Sequence, residues 1–172
     1  MLKILDRYFL LVLIISSTVF FYNINSFPLR NWDEAWYAEI IKNMAFGKNS
    51  LLFPFWNGQY YFDKPPLYFW LSLPFFKVFG PGEWEARIVS VVAATGATFL
   101  IYIIAKRLFT PATGILSSLI FVTLGQVYFR FSHGNLDALL IFFFLVIFYL
   151  YLRFDKKMPN SYWNFSGIWI FD

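Results

Sequence analysis

The chain has 172 residues, 59% of them hydrophobic and 24% aromatic, and only 14% charged, against about a quarter charged in soluble domains; this is the composition of a membrane protein. Its formal charge of +4 comes from single basic residues scattered among apolar runs rather than gathered on one face, which argues against a nucleic-acid partner. There is no cysteine, so disulfides and thiolate metal sites are excluded.

In chain order, Lys3 and Arg7 precede an apolar run over 8–22, the outline of a secretory signal. Asn23, Ile24, Asn25 and Ser26 make a poor processing site, so the run is expected to persist as an uncleaved anchor and first span over 8–27. A long loop, 28–87, follows. Asn31 and Glu34 have the spacing of a capping box, opening an amphipathic helix that carries Ala35, Ile40, Ile41 and Met44 to a stop at Gly47. Asn57 and Gly58 mark a tight turn. Pro65 and Pro66 suit the first turn of a second helix, through Trp70 and Phe76 to Gly80. At roughly 14 residues it is too short to span, and both helices suit the membrane interface.

Three more spans are expected over 88–108, 112–129 and 136–152. Lys106 and Arg107, then Thr110 and Pro111, then Arg153, Lys156 and Lys157 punctuate them. A fifth apolar stretch, 162–172, is too short to cross, so the chain reads as the front part of a longer protein. The expected fold is all-α and integral to the membrane, with four spanning helices, the start of a fifth and two interfacial helices in the first loop. With the short loops that carry Lys3, Arg7, Lys106 and Arg107 inside, Asp33, Asp63, Lys64 and Asp137 fall on the extracytoplasmic face. None of the four spans carries a charge at its middle, which counts against a transporter.

Asp33 and Glu34 sit at a helix start, where acids complement the helix dipole and cap free amides. The alternative is a general base facing a sugar acceptor, with Trp32 stacking on the ring. Pro65 and Pro66 hold Lys64 extended. Its ammonium suits a phosphate at the membrane surface, with Tyr61 adding a hydroxyl; the plainer roles are an ion pair for Asp63 and a lipid head group for Lys64. Asp137, after His133, Gly134 and Asn135, is either an N-cap, a role Asn135 fills equally well, or a second carboxylate converging on the site. His133 is the single histidine, so a histidine cluster is excluded and an interfacial hydrogen bond suits it. No nucleotide motif is present, so no nucleotide is expected, and a divalent metal stays open.

Taken together, Trp32-Asp33-Glu34-Ala35-Trp36-Tyr37-Ala38-Glu39-Ile40, Tyr61-Phe62-Asp63-Lys64-Pro65-Pro66-Leu67-Tyr68-Phe69-Trp70, Phe79-Gly80 with Glu85-Ala86-Arg87, and Gly134-Asn135-Leu136-Asp137 resemble the amino-terminal half of GT-C membrane glycosyltransferases, nearest the protein O-mannosyltransferases and the lipid A aminoarabinose transferases. The resemblance covers residues 31–153. It implies a multi-pass enzyme that moves a sugar, with inversion, from a polyprenyl-phosphate donor to a hydroxyl or phosphate of a protein, lipid or glycan acceptor. The transfer would occur outside the cytoplasm, at the plasma membrane of a prokaryote or the endoplasmic reticulum of a eukaryote. Carried over by position, Asp33 corresponds to the catalytic acid, Glu34 to its companion and Asp137 to the second acid. Lys64 and Tyr61 correspond to groups near the donor phosphate, and Trp32, Trp36, Tyr37, Asp63 and His133 are further candidates to line the site. Trp36 stands where relatives close to the aminoarabinose enzyme carry arginine, and Asp63 where glutamate is usual. Family members are several times longer, and the rival expectation is a non-catalytic membrane module that binds lipid or assembles with a partner.

Overall fold

The computed structural model describes residues 7–22, 24–47 and 51–154. The expectations for Lys3, Lys156, Lys157 and the fifth apolar stretch lie outside them. In order, the elements are α1 (Arg7–Phe21), α2 (Asp33–Phe46), β1 (Phe55–Trp56), β2 (Gln59–Tyr60), α3 (Leu67–Phe79), α4 (Glu83–Leu108), α5 (Pro111–Thr123), α6 (Gly125–Phe131) and α7 (Asp137–Phe154).

Helix α4 is the axis. Its 26 residues rise roughly 39 Å, enough to cross a bilayer core, and α1, α3, α5 and α7 all pack against it. Small residues allow this close approach. Ala93, Ala94 and Ala97 are buried along α4, and a β-carbon on Gly114 of α5 would meet the Tyr102 carbonyl oxygen at 2.8 Å. One turn on, the Ser118 hydroxyl donates to Gly114 O of its own helix at 2.8 Å and lies 3.4 Å from Thr98 O of α4.

The long loop folds on its own apolar stripes. In α2, Tyr37, Ile40, Ile41 and Met44 recur at helical spacing and are buried. They meet Phe69 and Phe76 of α3 in the main core, at about 1.5–3 kcal/mol of stabilisation for each large apolar side chain removed from water. Between them Phe55 pairs with Tyr60 and Trp56 with Gln59 in an antiparallel hairpin. Its turn uses positive φ at both Asn57 (49°) and Gly58 (81°), the twist that a two-residue hairpin loop requires.

Four expectations need correction. The first helix stops at Phe21 rather than running to residue 27, because the following segment turns and its carbonyls serve another partner, described below. The third span is not one straight helix: α5 and α6 meet at 66°. Leu124 adopts an extended backbone (φ −64°, ψ 119°), the Thr123 hydroxyl bonds the Leu119 and Ile120 carbonyls, and Gly125 is a weak helix former. Among the described residues, α4 and α7 are long and apolar enough to cross a membrane alone, and the bent α5–α6 pair has the length and composition of a broken span or a re-entrant loop. The capping box is absent too. The N-cap of α2 is Trp32, whose side chain makes no capping bond. Helix α4 also starts at Glu83, ahead of the expected 88.

Candidate active site

Arg87, near the start of α4, is 2% exposed. Its Nε donates to Glu34 Oε1 at 2.7 Å and its Nη2 to Glu34 Oε2 at 3.2 Å. Nη1 donates to the carbonyls of Ile24 (2.8 Å) and Phe27 (2.9 Å), and Nη2 also to that of Pro28 (3.1 Å). These are the carbonyls that end the first helix early. Glu34 accepts two further bonds, from the Arg30 amide at 2.7 Å and the Gly134 amide at 2.8 Å. Gly134 reaches it because it lacks a side chain; a β-carbon there would meet Ala86 O at 2.7 Å and Tyr68 Oη at 2.9 Å. Burial alone would raise the Glu34 carboxyl, but the Arg87 hydrogen bond and the two amides outweigh it and hold the group below its ordinary 4.5. One buried ion pair thus joins the segment after α1, the start of α2, the start of α4 and the loop before α7. Glu34 is committed to this junction.

The junction presents Asp33. Trp32 before it sits at φ 73°, ψ −129°, a conformation that costs a non-glycine residue about 1–3 kcal/mol, and its indole is 84% exposed. Asp33 itself is exposed and, among the described residues, has no hydrogen-bond or ion-pair partner. It lines a pocket of about 230 Å³ with Arg30, Arg130 and His133. The Arg30 guanidinium lies 4.0 Å from the Phe129 ring centre. The His133 Nδ1 donates to Phe129 O at 2.6 Å, and burial pushes the imidazole below 6.5, which favours a neutral ring.

Across the pocket, Asn135 Oδ1 accepts the Asp137 amide at 3.0 Å. Asn135 therefore does the capping at α7, and the Asp137 carboxylate faces Arg130 at 3.6 Å. On its far side Asp137 shares with Lys64 a second pocket of about 280 Å³, walled by Leu136, Leu139, Leu140 and Phe143. Leu139 and Phe143 also wall an adjoining apolar pocket of about 290 Å³, with Leu71, Phe75 and Val92. Lys64 is exposed and forms no ion pair among the described residues, and neither does Asp63.

Tyr37 and Tyr61 lie between the acids. Burial, then the charges of Asp33, Tyr61 and Asp137, raise the Tyr37 hydroxyl far above its ordinary value; burial, then Asp63 and Asp33, raise that of Tyr61. Trp36 lies on the same face of α2, its ring centre 5.4 Å from that of Tyr61 and 5.0 Å from that of Trp56. The structure thus puts Asp33 and Glu34 on one pocket and Lys64 and Asp137 on another, sets Tyr37 within electrostatic reach of both Asp33 and Asp137, and ties Glu34 to Arg87. In the sequence Arg87 carries the family resemblance without a role assigned to it, and Arg30 and Arg130 were not singled out for the site. A lone arginine at the head of an apolar run was the available signal for the first.

A predominantly helical chain with apolar helices long enough to cross a membrane, and with acids and a lysine on the pockets of its first loop and the start of α7, has the architecture of a GT-C membrane glycosyltransferase. Residues 63–170 match the family described as dolichyl-phosphate-mannose-protein mannosyltransferase, and the chain belongs to it. It is 27% identical over 157 residues to an uncharacterized protein of Aquifex aeolicus, covering 90% of this chain and 31% of that one. It is 34% identical over 116 residues to the undecaprenyl phosphate-alpha-4-amino-4-deoxy-L-arabinose arabinosyl transferase of Pseudomonas paraeruginosa, covering 64% of this chain and 21% of that one. Its fold matches the crystal structure of ArnT from Cupriavidus metallidurans bound to undecaprenyl phosphate, with a TM-score of 0.74 and 23% identity, over 83% of this chain and 26% of that chain. The chain therefore spans less than a third of each of these relatives.

Proposed function

We propose that this chain builds the reacting face of a membrane glycosyltransferase that takes a sugar from a polyprenyl phosphate and passes it, with inversion, to an acceptor hydroxyl or phosphate on the extracytoplasmic side. The observation that carries this reading is the pair of unneutralised groups on either side of the Arg130–Asp137 contact: Lys64 at an apolar groove and Asp33 at a polar pocket. An ammonium beside a greasy groove suits a phosphate with a long hydrocarbon tail. A free carboxylate beside an open pocket suits an acceptor whose proton must leave.

In the reaction, the acceptor oxygen attacks the anomeric carbon while Asp33 takes its proton. The bond from that carbon to the phosphate oxygen breaks, and the electron pair leaves on the polyprenyl phosphate. Lys64 and the Tyr61 hydroxyl hold the phosphate as its charge grows, and Asp137 keeps Arg130 in place between the two pockets. The phosphate is both anchor and leaving group, so no nucleotide takes part.

The test is transfer by the full-length protein, reconstituted in lipid with polyprenyl-phosphate sugars from its own membranes. Asp33→Asn is expected to lower turnover by at least about a hundredfold while polyprenyl phosphate still binds. Lys64→Met is expected to raise KM for the sugar lipid. Transfer undiminished in Asp33→Asn would overturn the base assignment, and a wild-type protein that binds polyprenyl phosphate but transfers no sugar would favour a lipid-binding module.

A further inference from the structure

Two polar atoms in this region are shut off from solvent and have no hydrogen-bond partner among the described residues: Trp36 Nε1 and Tyr61 Oη. Tyr61 is only 6% exposed. Native proteins rarely bury an N–H or O–H without an acceptor, because water has been given up and nothing replaces it. Both atoms belong to rings in contact, 5.4 Å apart and tilted by 60°. Trp56 of β1 closes the third side, 5.0 Å from Trp36 and tilted by 51°. Trp36 follows Asp33 by three residues in α2, so the two are neighbours on one helix face. The result is a closed aromatic corner that shuts one N–H and one O–H away from solvent, with Asp33 a helical turn away on α2.

We propose that the Trp36 and Trp56 indoles, inclined to one another beside Tyr61, form the subsite that holds the sugar ring of the lipid-linked substrate. This rests on the glycosyltransferase reading above. Indole faces carry the negative side of the ring quadrupole, which attracts the polarised C–H groups on one face of a pyranose. The Trp36 N–H then donates to a sugar hydroxyl, and the Tyr61 O–H donates where sugar meets phosphate. Burial and the nearby carboxylates keep the phenol protonated, as a donor must be.

The movable wall is the hairpin. Strands of two residues have little stability of their own. Beyond its internal pairing the hairpin is tied to its surroundings by a long bond, Asn43 Nδ2 to Phe55 O at 3.4 Å, and its flanks are joined by the Tyr61 amide, which donates to Pro54 O at 2.8 Å. In the proposed subsite Trp56 moves with the hairpin, so that the sugar reaches the Trp36 N–H and the Tyr61 O–H while α2 and α3 stay packed on each other through Tyr37 and Phe69.

The experiment is native mass spectrometry of the full-length protein, loaded with the polar lipid extract of its own cells and read as the ratio of bound polyprenyl-phosphate sugar to bound bare polyprenyl phosphate. In Trp36→Phe, which keeps a ring but deletes the N–H, and in Trp56→Leu, which deletes a ring face, the ratio is expected to fall by at least about tenfold, the factor carried by one lost hydrogen bond to a polar group. Continued binding of bare polyprenyl phosphate reports that each variant is folded. An unchanged ratio in both variants overturns the subsite and leaves the glycosyltransferase reading standing, as does a wild-type protein that retains bare polyprenyl phosphate alone. A wild-type protein that retains neither species overturns both.

Discussion

Arg87 has no water to turn to. At 2% exposed its guanidinium depends on Glu34 and three carbonyls, and removing one member of such a pair leaves the other charge buried and alone, at about 3–5 kcal/mol. Arg87→Met is therefore expected to lower the thermal midpoint of the full-length protein steeply, and to lower transfer with it. Conservative Glu34→Gln keeps the shape and loses the charge, so it should fall between. The pH dependence follows from the depressed Glu34 carboxyl: its stabilisation is complete above the ordinary 4.5 and is lost as pH falls through its lower folded value. Acid unfolding followed by tryptophan fluorescence should show this limb in wild type and a shallower one in Glu34→Gln; identical acid limbs would refute the assignment. Asp33 and Lys64 were legible in the sequence because polar residues stand out in so apolar a chain. The separate fate of Glu34 was not, since its partners are 53 and 100 residues away and an acid at a helix start already has a local explanation.

At the scale of elements, close packing against α4 decides which small residues matter. A methyl group on Gly114 would meet backbone, Tyr102 O at 2.8 Å, whereas one on Gly96 would meet the Phe142 ring at 2.7 Å. Backbone in a helix cannot give way and a ring can turn. Gly114→Ala is therefore expected to destabilise by about 1–3 kcal/mol and Gly96→Ala by less, measured as thermal midpoints in the same detergent; the reverse order would show that the Phe142 ring is the more rigid neighbour. The spans were legible where charged or proline punctuation framed them, as at Lys106 and Pro111. The bend between α5 and α6 was hidden because Thr123, Leu124 and Gly125 carry no charge and interrupt no apolar run. The tight turn at Asn57 and Gly58, by contrast, was legible, whereas the two-residue strands on either side of it were too short to show as a pattern.

For the whole molecule, the apolar surface sets the surroundings. Along α7, Leu140, Phe144, Ile147 and Tyr151 are exposed at 57–65%, a face that water does not tolerate at this size. The lack of cysteine makes the orientation directly testable by single-cysteine labelling. Asn57→Cys at the hairpin turn is expected to react with an impermeant maleimide in intact cells, and Ala112→Cys at the start of α5 only after permeabilisation; the opposite pattern would put the acids on the cytoplasmic side.

The Glu34–Arg87 junction also imposes an order of events during synthesis. Arg87 leaves the ribosome 53 residues after Glu34, and the Gly134 amide 100 residues after it. Until α4 has been made, Glu34 lacks the Arg87 guanidinium; until the α6–α7 loop arrives, the carboxylate lacks its last donor. Competence is thus a late step of biogenesis. A copy of α4 threaded in the wrong direction would leave Glu34 and Arg87 on opposite sides of the bilayer, so the same pair that shapes the site also reports whether the chain was inserted correctly.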